Sequence, residues 1–155
     1  MKTVKGDLVQ LALDGEFDVI VHGCNCFCTM GAGIAKTIKQ HFPAAYKADC
    51  ETRSGDKTKL GTYSLAHCTI PYEKLITIIN AYTQFDYGKR QVNVDYGAVR
   101  SVFHKLSNSF GTNSRIGIPR IGCGLAKGDW KIVKQIVEQE MPKHNVTVVE
   151  YVPRG

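Results

Sequence analysis

Two glycine-rich segments, each in the loop that follows an apolar run, contain the residues best suited to chemistry. Residues 30–33 read Met-Gly-Ala-Gly, and residues 122–125 read Gly-Cys-Gly-Leu. Glycine lets backbone N–H groups approach phosphate oxygens closely, and a helix that begins after the segment adds a favourable dipole. Two such segments side by side could hold a diphosphate from both sides. Turn formation explains either segment equally well when it is considered alone.

Asn25 stands between the first apolar run and its glycines. Its side-chain amide can both donate and accept, so it could bond the hydroxyls of a ribose. The alternative is that Asn25 caps a local turn. The first segment matches neither the Gly-x-Gly-x-x-Gly pattern nor the Gly-Lys-Ser/Thr ending of a P-loop, which disfavours an ordinary Rossmann or NTPase site.

Cys24, Cys26 and Cys28 alternate along the same loop, and the chain has six cysteines in all. This alternation raises the question of zinc, yet no Cys-x-x-Cys or matching His pair completes a set of four ligands. The N-terminus lacks the apolar core of a signal peptide. We therefore expect reduced thiols, a cytoplasmic protein, and neither a metal nor another cofactor.

The bulk composition is typical of a soluble globular protein. The chain has 155 residues, of which 43% are hydrophobic and 22% are charged. No apolar run approaches the roughly 20 residues that a membrane span needs. The net charge of +6 suits a negatively charged ligand, although a solubilising surface is the simpler explanation. The basic residues are too scattered to indicate a stripe that binds nucleic acid.

Strands and helices alternate in the predicted order of elements, and both glycine segments follow strands. Strands are expected at 2–4, 17–22, 61–68, 75–80, 115–119 and 146–151, and helices at 8–13, 33–42, 44–52, 95–110 and 130–141. This order predicts one α/β domain over residues 1–155, with a mixed, largely parallel central sheet in a three-layer α/β/α sandwich. Ligands of open α/β sheets bind beyond the carboxyl ends of strands, where both segments would lie.

At these residues the sequence resembles the macro domain family. Residues 22–26, His-Gly-Cys-Asn-Cys, and the Met-Gly-Ala-Gly that follows them are similar to the family's first ligand loop. Residues 118–125, with Trp130 after them, are similar to its second. The resemblance spans essentially the whole chain. It is strongest to the branch that holds ADP-ribose 1''-phosphate phosphatases and the terminal ADP-ribose protein glycohydrolase.

The resemblance implies that the ligand is ADP-ribose or ADP-ribose 1''-phosphate. It implies that Asp7 bonds the adenine, that Asn25 touches the distal ribose, and that Tyr151 lies near the adenine. The two loops would line the diphosphate from opposite sides. The implied ligand-binding residues are Asp7, Leu8, Asn25, Met30, Gly31, Ala32, Gly33, Ile34, Pro119, Ile121, Gly122, Cys123, Gly124, Leu125 and Tyr151.

His22 is the main catalytic candidate, because the phosphatase branch carries a His at this position. It could act as a general acid or base near neutral pH, or attack phosphorus directly. A buried imidazole with a purely structural bond is the alternative. Asp129 could position water or act as a base, and it equally suits the N-cap of the last helix. Asp86 and Lys89, in the long loop, are weaker candidates.

The sequence departs from the glycohydrolase branch at two positions. That branch has an Asp directly after Gly-Cys-Gly-Leu, where this chain has Ala126, and a Lys near residues 80–82, which read Asn-Ala-Tyr here. We therefore expect a hydrolase of the phosphatase type. ADP-ribosyl hydrolysis and non-catalytic reading of ADP-ribose are the alternatives. ADP-ribosylated proteins or nucleic acids are further candidate partners. We expect a monomer with no membrane partner.

Overall fold

The computed structural model describes residues 1–88 and 92–153. Six strands and five helices alternate along this part of the chain. The strands are β1 (Lys2–Gly6), β2 (Val19–Cys24), β3 (Tyr63–Ile70), β4 (Lys74–Tyr82), β5 (Arg115–Ile118) and β6 (Asn145–Tyr151). The helices are α1 (Leu8–Leu13), α2 (Gly33–His41), α3 (Pro43–Cys50), α4 (Tyr96–Ser109) and α5 (Trp130–Glu140). Every predicted helix and strand is present, with boundaries shifted by a few residues.

The six strands form one sheet in the order β1-β6-β5-β2-β4-β3. Every neighbouring pair is parallel except β3 and β4, which are antiparallel. The antiparallel pair is joined by a short 3-10 turn at Pro71–Glu73, the kind of tight connection that only antiparallel neighbours permit. The mixed, largely parallel sheet predicted from the sequence is confirmed.

Apolar side chains leave the sheet on both faces and pack under helices. Val19 and Val21 of β2 join the cluster that includes side chains of α4 and α5, whereas Ile20 joins the cluster that includes side chains of α1, α2 and α3. This alternation follows from the two-residue period of a strand. The predicted three-layer α/β/α architecture is therefore confirmed.

The sheet opens between β2 and β5. These two strands pair only at their beginning, where Val19 and Ile20 lie beside Ile116 and Gly117. Beyond that point β2 continues along β4, and β5 continues along β6. A place where neighbouring strands lead away to opposite sides leaves a crevice at their carboxyl ends. The two glycine-rich loops follow these two strands.

A candidate ligand pocket between two glycine-rich loops

A cavity of about 1140 Å³ lies at the carboxyl ends of β2 and β5. It has the size of a pocket that takes a ligand as large as a cofactor. The structure places around it every residue that the sequence predicted to bind ligand, except Met30. These lining residues are Asp7, Leu8, Asn25, Gly31, Ala32, Gly33, Ile34, Pro119, Ile121, Gly122, Cys123, Gly124, Leu125 and Tyr151.

Met30 is the residue that the structure places elsewhere. Its side chain is 1% exposed and packs in the apolar cluster that also contains Ile38 of α2. Burial of a large thioether in the core anchors the loop from beneath, while its neighbour Gly31 lies on the cavity. Met30 therefore supports the loop from the core and is absent from the lining.

The first loop ends at a helix N-terminus without a side-chain cap. Ala32 occupies the N-cap position of α2, with φ −147° and ψ 159°, and it has no side chain that can accept a hydrogen bond. By contrast, Asp7, Asp95 and Asp129 cap α1, α4 and α5 with their carboxylates. Unpaired N–H groups at a helix start attract anions through their partial positive charge. The start of α2 is thus left open toward the cavity.

The second loop is held in a tight turn. Gly122 has φ +74°, and a Cβ at this position would lie 2.4 Å from Val94 Cγ2, so only glycine fits. The Gly128 N–H donates to the Gly122 carbonyl at 2.6 Å and closes the turn. Within the described residues, no hydrogen bond takes up the backbone N–H of Gly124 or Leu125. These two amides are therefore available to a ligand.

The two loops approach one another across the cavity. A Cβ built on Gly33 would lie 3.6 Å from Leu125 Cδ1, a van der Waals distance. Gly33 itself has φ +60°, a left-handed conformation that favours glycine. The cavity is therefore bounded on one side by an uncapped helix start and on the other by free loop amides.

Asn25 uses its side chain within its own loop. Its Nδ2 donates to Thr29 Oγ1 at 2.6 Å, and its Oδ1 accepts from the Phe27 N–H at 2.8 Å. These bonds match the turn-capping alternative considered from the sequence. Asn25 also lines the cavity, although only 8% of it is exposed. A contact with a ribose is therefore secondary to its role in shaping the loop.

The far end of the cavity lies at β1 and β6. Asp7 accepts from the Val9 and Gln10 N–H groups at 3.0 and 3.2 Å through one carboxylate oxygen, Oδ1. Its other oxygen, Oδ2, is thereby left for a ligand. Tyr151 is 72% exposed, and its aromatic ring is free to stack on a planar group. Arg120 and Glu150, which also line the cavity, form an ion pair.

Comparisons with known proteins agree with this architecture. The family profile of the Macro domain matches residues 21–137. The chain belongs to the macro domain family. A 17.5 kDa protein of unassigned function from Enterobacteria phage T4, encoded in its tk-vs intergenic region, is 39% identical to it over 99% of this chain and 97% of its own length.

Two relatives with named activities show lower identity over a similar share of the chain. An ADP-ribose 1''-phosphate phosphatase of Debaryomyces hansenii is 27% identical over 97% of this chain and 99% of its own length. The ADP-ribose glycohydrolase OARD1 of Bos taurus is 30% identical over 96% of this chain and 88% of its own length. The solved macrodomain of Thermus aquaticus DarG superposes with a TM-score of 0.73 at 24% identity, over 98% of this chain and 97% of that one.

In this macro domain, His22 lies beneath the pocket rather than on it. It is 0% exposed and is absent from the residues that line the cavity. Its Nε2 lies 2.7 Å from Asn80 Oδ1. Asn80 Nδ2 donates to the Ala45 carbonyl and Ser64 Oγ, so Asn80 Oδ1 is the acceptor and His22 Nε2 carries the proton.

The surroundings of His22 keep its imidazole neutral. Burial lowers its pKa from 6.5 to about 4, against a smaller opposing effect of the Asn80 hydrogen bond. Cys24, which does line the cavity, has its Sγ 3.7 Å from His22 Nδ1. A role in which His22 touches the ligand remains a prediction, and this placement favours the structural alternative.

Asp129 is the N-cap of α5, which was the structural alternative to a catalytic role. Its carboxylate accepts from the Lys131 N–H at 2.9 Å, and the residue is exposed outside the cavity lining. Asp86 also lies outside the lining and accepts from the Tyr87 N–H. Lys89 lies outside the described residues. Neither Asp86 nor Asp129, the two carboxylates considered as catalytic candidates, lines the cavity.

The thiols near the cavity are poor nucleophiles. Burial raises the pKa of Cys24 well above its usual value, with a smaller contribution from the Asp49 charge. Burial likewise raises the pKa of Cys123 to about 11. Both therefore stay protonated near neutral pH, and the thiolate is the form that attacks. Ala126, which is buried and also lines the cavity, supplies no acid or base.

Sequence reasoning missed several lining residues. Arg120 and Glu150 are direct neighbours of the predicted Pro119 and Tyr151, so the same strand ends could have indicated them. Gln84 and Tyr87 come from the long loop after β4, whose sequence has no periodicity to follow. The other missed lining residues are Val9, Gly23, Cys24, Thr29, Ala35, Thr37, Ala126 and Val149.

Across residues 1–88 and 92–153, no three His, Cys, Asp or Glu side chains are grouped so that they could hold a metal ion. None of the helices in this part of the chain has the length and apolar character needed to cross a bilayer.

Proposed function

We propose that this macro domain binds ADP-ribose, with the diphosphate held between the start of α2 and residues 122–125. The observation that carries the proposal is the uncapped N-terminus of α2, which faces a cavity shared with the free amides of Gly124 and Leu125. A dianionic diphosphate supplies the acceptors that both sets of N–H groups lack. The net charge of +6 favours the approach of such an anion.

The ends of the cavity fit the two remaining parts of the ligand. Asp7 presents a carboxylate oxygen that can accept from an exocyclic amine such as that of adenine, and Tyr151 offers a ring for stacking. Polar side chains of Asn25, Thr29 and Gln84 line another part of the same cavity. These groups suit the hydroxyls of a terminal ribose.

A valine at position 124 tests this arrangement. A Cβ on Gly124 would meet no other protein atom within 4 Å, so its branched side chain would occupy open space on the cavity. We expect Gly124→Val to leave the melting temperature unchanged and to weaken ADP-ribose binding at least about tenfold, or about 1.4 kcal/mol, by isothermal titration calorimetry.

The matched control is Gly111→Val, an exposed glycine outside the cavity that likewise has no atom within 4 Å of an added Cβ. This variant should bind ADP-ribose like the wild type. Equal affinity of Gly124→Val and the wild type would contradict the proposed position of the diphosphate.

Hydrolysis of ADP-ribose 1''-phosphate is the second proposed function. The relative from Debaryomyces hansenii named for this activity matches nearly the whole chain. Removal of ADP-ribose from modified proteins or nucleic acids is less favoured, because Ala126 lies on the cavity where that branch has an acid. The catalytic roles of His22 and Asp129 in this reaction are hypotheses, and kinetics of variants at both residues test them.

Product analysis separates these activities. Incubation with ADP-ribose 1''-phosphate should release inorganic phosphate, whereas an ADP-ribosylated protein should release no free ADP-ribose. Tight ADP-ribose binding without either product would identify a non-catalytic reader. If phosphate is released, an unchanged kcat for His22→Gln and Asp129→Ala would exclude both residues as catalysts. We propose that the active species is a monomer, which light scattering of the purified protein checks.

A further inference from the structure

Lys59 is a buried cation that the proposed binding function does not use. It is 7% exposed, and its Nζ donates to the Cys26 carbonyl at 3.1 Å and lies 4.6 Å from the centre of the Tyr82 ring. Among the described residues, no carboxylate forms an ion pair with it. The buried carboxylate of Asp49 interacts with this charge without a direct ion pair, so the direct contacts of the ammonium with neutral groups call for an explanation.

The sulfur of Cys28 completes the surroundings of this ammonium. Lys59 Nζ lies 3.7 Å from Cys28 Sγ. The same sulfur lies 3.2 Å from the Asp49 carbonyl, which fixes its position. Cys28 is only partly buried and has φ +59°, so the loop presents its sulfur in a constrained geometry while leaving it within reach of small solutes.

We propose that Cys28 and Lys59 form an oxidation-dependent modification site, at which a hydroperoxide joins the two side chains through a sulfur–nitrogen bond. This inference is independent of the proposed ligand. Among the thiols of the described residues, Cys28 is the one with a lysine amine as a hydrogen-bonding neighbour. Sulfenic acids condense with nitrogen nucleophiles to give sulfenamides, and a nitrogen held beside the sulfur favours that step.

The reaction balances with one equivalent of hydrogen peroxide. The Cys28 sulfur attacks peroxide, so an S–O bond forms, the O–O bond breaks, and the first water leaves. The Lys59 ammonium gives one proton to solvent, and the resulting neutral Nζ attacks the sulfenic sulfur. An S–N bond forms, the S–O bond breaks, and the hydroxyl leaves as a second water with a further proton from nitrogen. The sulfur loses two electrons and the peroxide gains two. One thiol and one amine thereby become one sulfenamide.

The bond would tie the first ligand loop to the 3-10 turn at Lys57–Lys59. Cys28 directly precedes Thr29, which lines the cavity and is bonded to Asn25. The cross-link would therefore act on the loop that shapes the pocket. A thiol reductant would reverse it, because sulfenamide sulfur is attacked by thiols.

Peptide mapping of the intact protein tests this inference. After treatment with hydrogen peroxide and proteolysis, we expect the Cys28 peptide to be joined to the Lys59 peptide, with two hydrogens fewer than the sum of the separate peptides. The chain should resist trypsin after Lys59 and regain cleavage there on reduction. Cys28 found in a disulfide or as a sulfinic acid, with Lys59 unmodified, would overturn the proposal.

Two lysine variants test whether the Lys59 amine captures the oxidised sulfur. Lys57→Arg, at an exposed lysine in the same turn, should cross-link like the wild type. Lys59→Arg keeps a positive charge but lacks the amine, so Cys28 should accumulate as a sulfenic acid that a cyclic dione labels. If Lys59→Arg fails to fold, the wild-type mapping still decides. Equal dione labelling of Cys28 in folded Lys59→Arg and in the wild type would contradict capture by the lysine.

Discussion

At the scale of single residues, His22 illustrates how one side chain can serve the pocket without touching it. Its Nε2–H donates to Asn80 Oδ1, with 2.7 Å between the nitrogen and the oxygen, and Asn80 Nδ2 in turn donates to the Ala45 carbonyl of α3. Its neighbour Cys24 reaches the cavity. This chain of contacts fixes the end of β2 from which the first ligand loop departs.

The depressed pKa of His22 predicts a specific dependence of stability on pH. Its pKa is 6.5 when unperturbed and about 4 in the folded protein, so the unfolded chain binds a proton more readily. The stabilisation that neutral His22 provides is thus complete above pH 6.5 and is lost as the pH falls toward 4. The shift corresponds to about 3 kcal/mol.

Chemical denaturation of the wild type and His22→Gln between pH 4 and 7.5 measures this effect. Glutamine keeps an N–H donor for Asn80 and does not titrate. We expect the wild type to lose about 3 kcal/mol more unfolding free energy than His22→Gln across this range. Parallel pH profiles for the two proteins would show that His22 does not titrate as its burial requires.

At the scale of elements, α2 differs from α1, α4 and α5 because its N-terminus has no side-chain cap. An aspartate at the N-cap of α2 should act in two opposite ways. Ala32→Asp supplies the missing cap and should raise stability by about 1 kcal/mol. The same carboxylate would repel a bound diphosphate and should weaken ADP-ribose binding at least about tenfold.

The reverse change at α5 is the control for this prediction. Asp129→Ala removes a cap that lies outside the cavity, so it should lower stability by about 1 kcal/mol and leave ADP-ribose affinity unchanged. Melting curves and calorimetry on both variants provide the comparison. Ala32→Asp that binds like the wild type would mean that the start of α2 does not meet the ligand.

The elements themselves were predictable because their patterns are local. The predicted strand at residues 75–80 and the Asp129 cap of α5 required no knowledge of the tertiary structure. The environment of His22 could not be predicted without the tertiary structure, because its partner Asn80 lies on the neighbouring strand β4. Burial and register decide whether a polar residue at a strand end reaches the cavity, and neither is visible in the residues on either side of it.

The same reasoning explains the mixed outcome for the loops. Glycines that follow strands indicated the residues on the cavity, because strand ends in a parallel sheet meet at one edge. Met30 belonged to the same short segment but turned into the core. Adjacent residues in a loop lack the alternation of a strand, so sequence could not separate the lining residue from the anchoring one.

At the scale of the whole molecule, the sheet has two different ends. The large cavity lies at the carboxyl ends of β2 and β5. A smaller cavity of about 240 Å³ lies at the opposite end of the sheet, where β4 and β5 begin, near the Arg115–Asp18 ion pair. We expect anions to bind in the first of these cavities, where the start of α2 and the loop amides converge.

Titration of the ¹⁵N-labelled protein with ADP-ribose, followed by amide chemical shifts in NMR spectra, tests this position of the ligand. The predicted result is that the largest shifts fall on residues 31–34 and 122–125 together, with Gly15 and Arg115 unaffected. Shifts confined to one of the two loops, or largest at Gly15 and Arg115, would contradict the account.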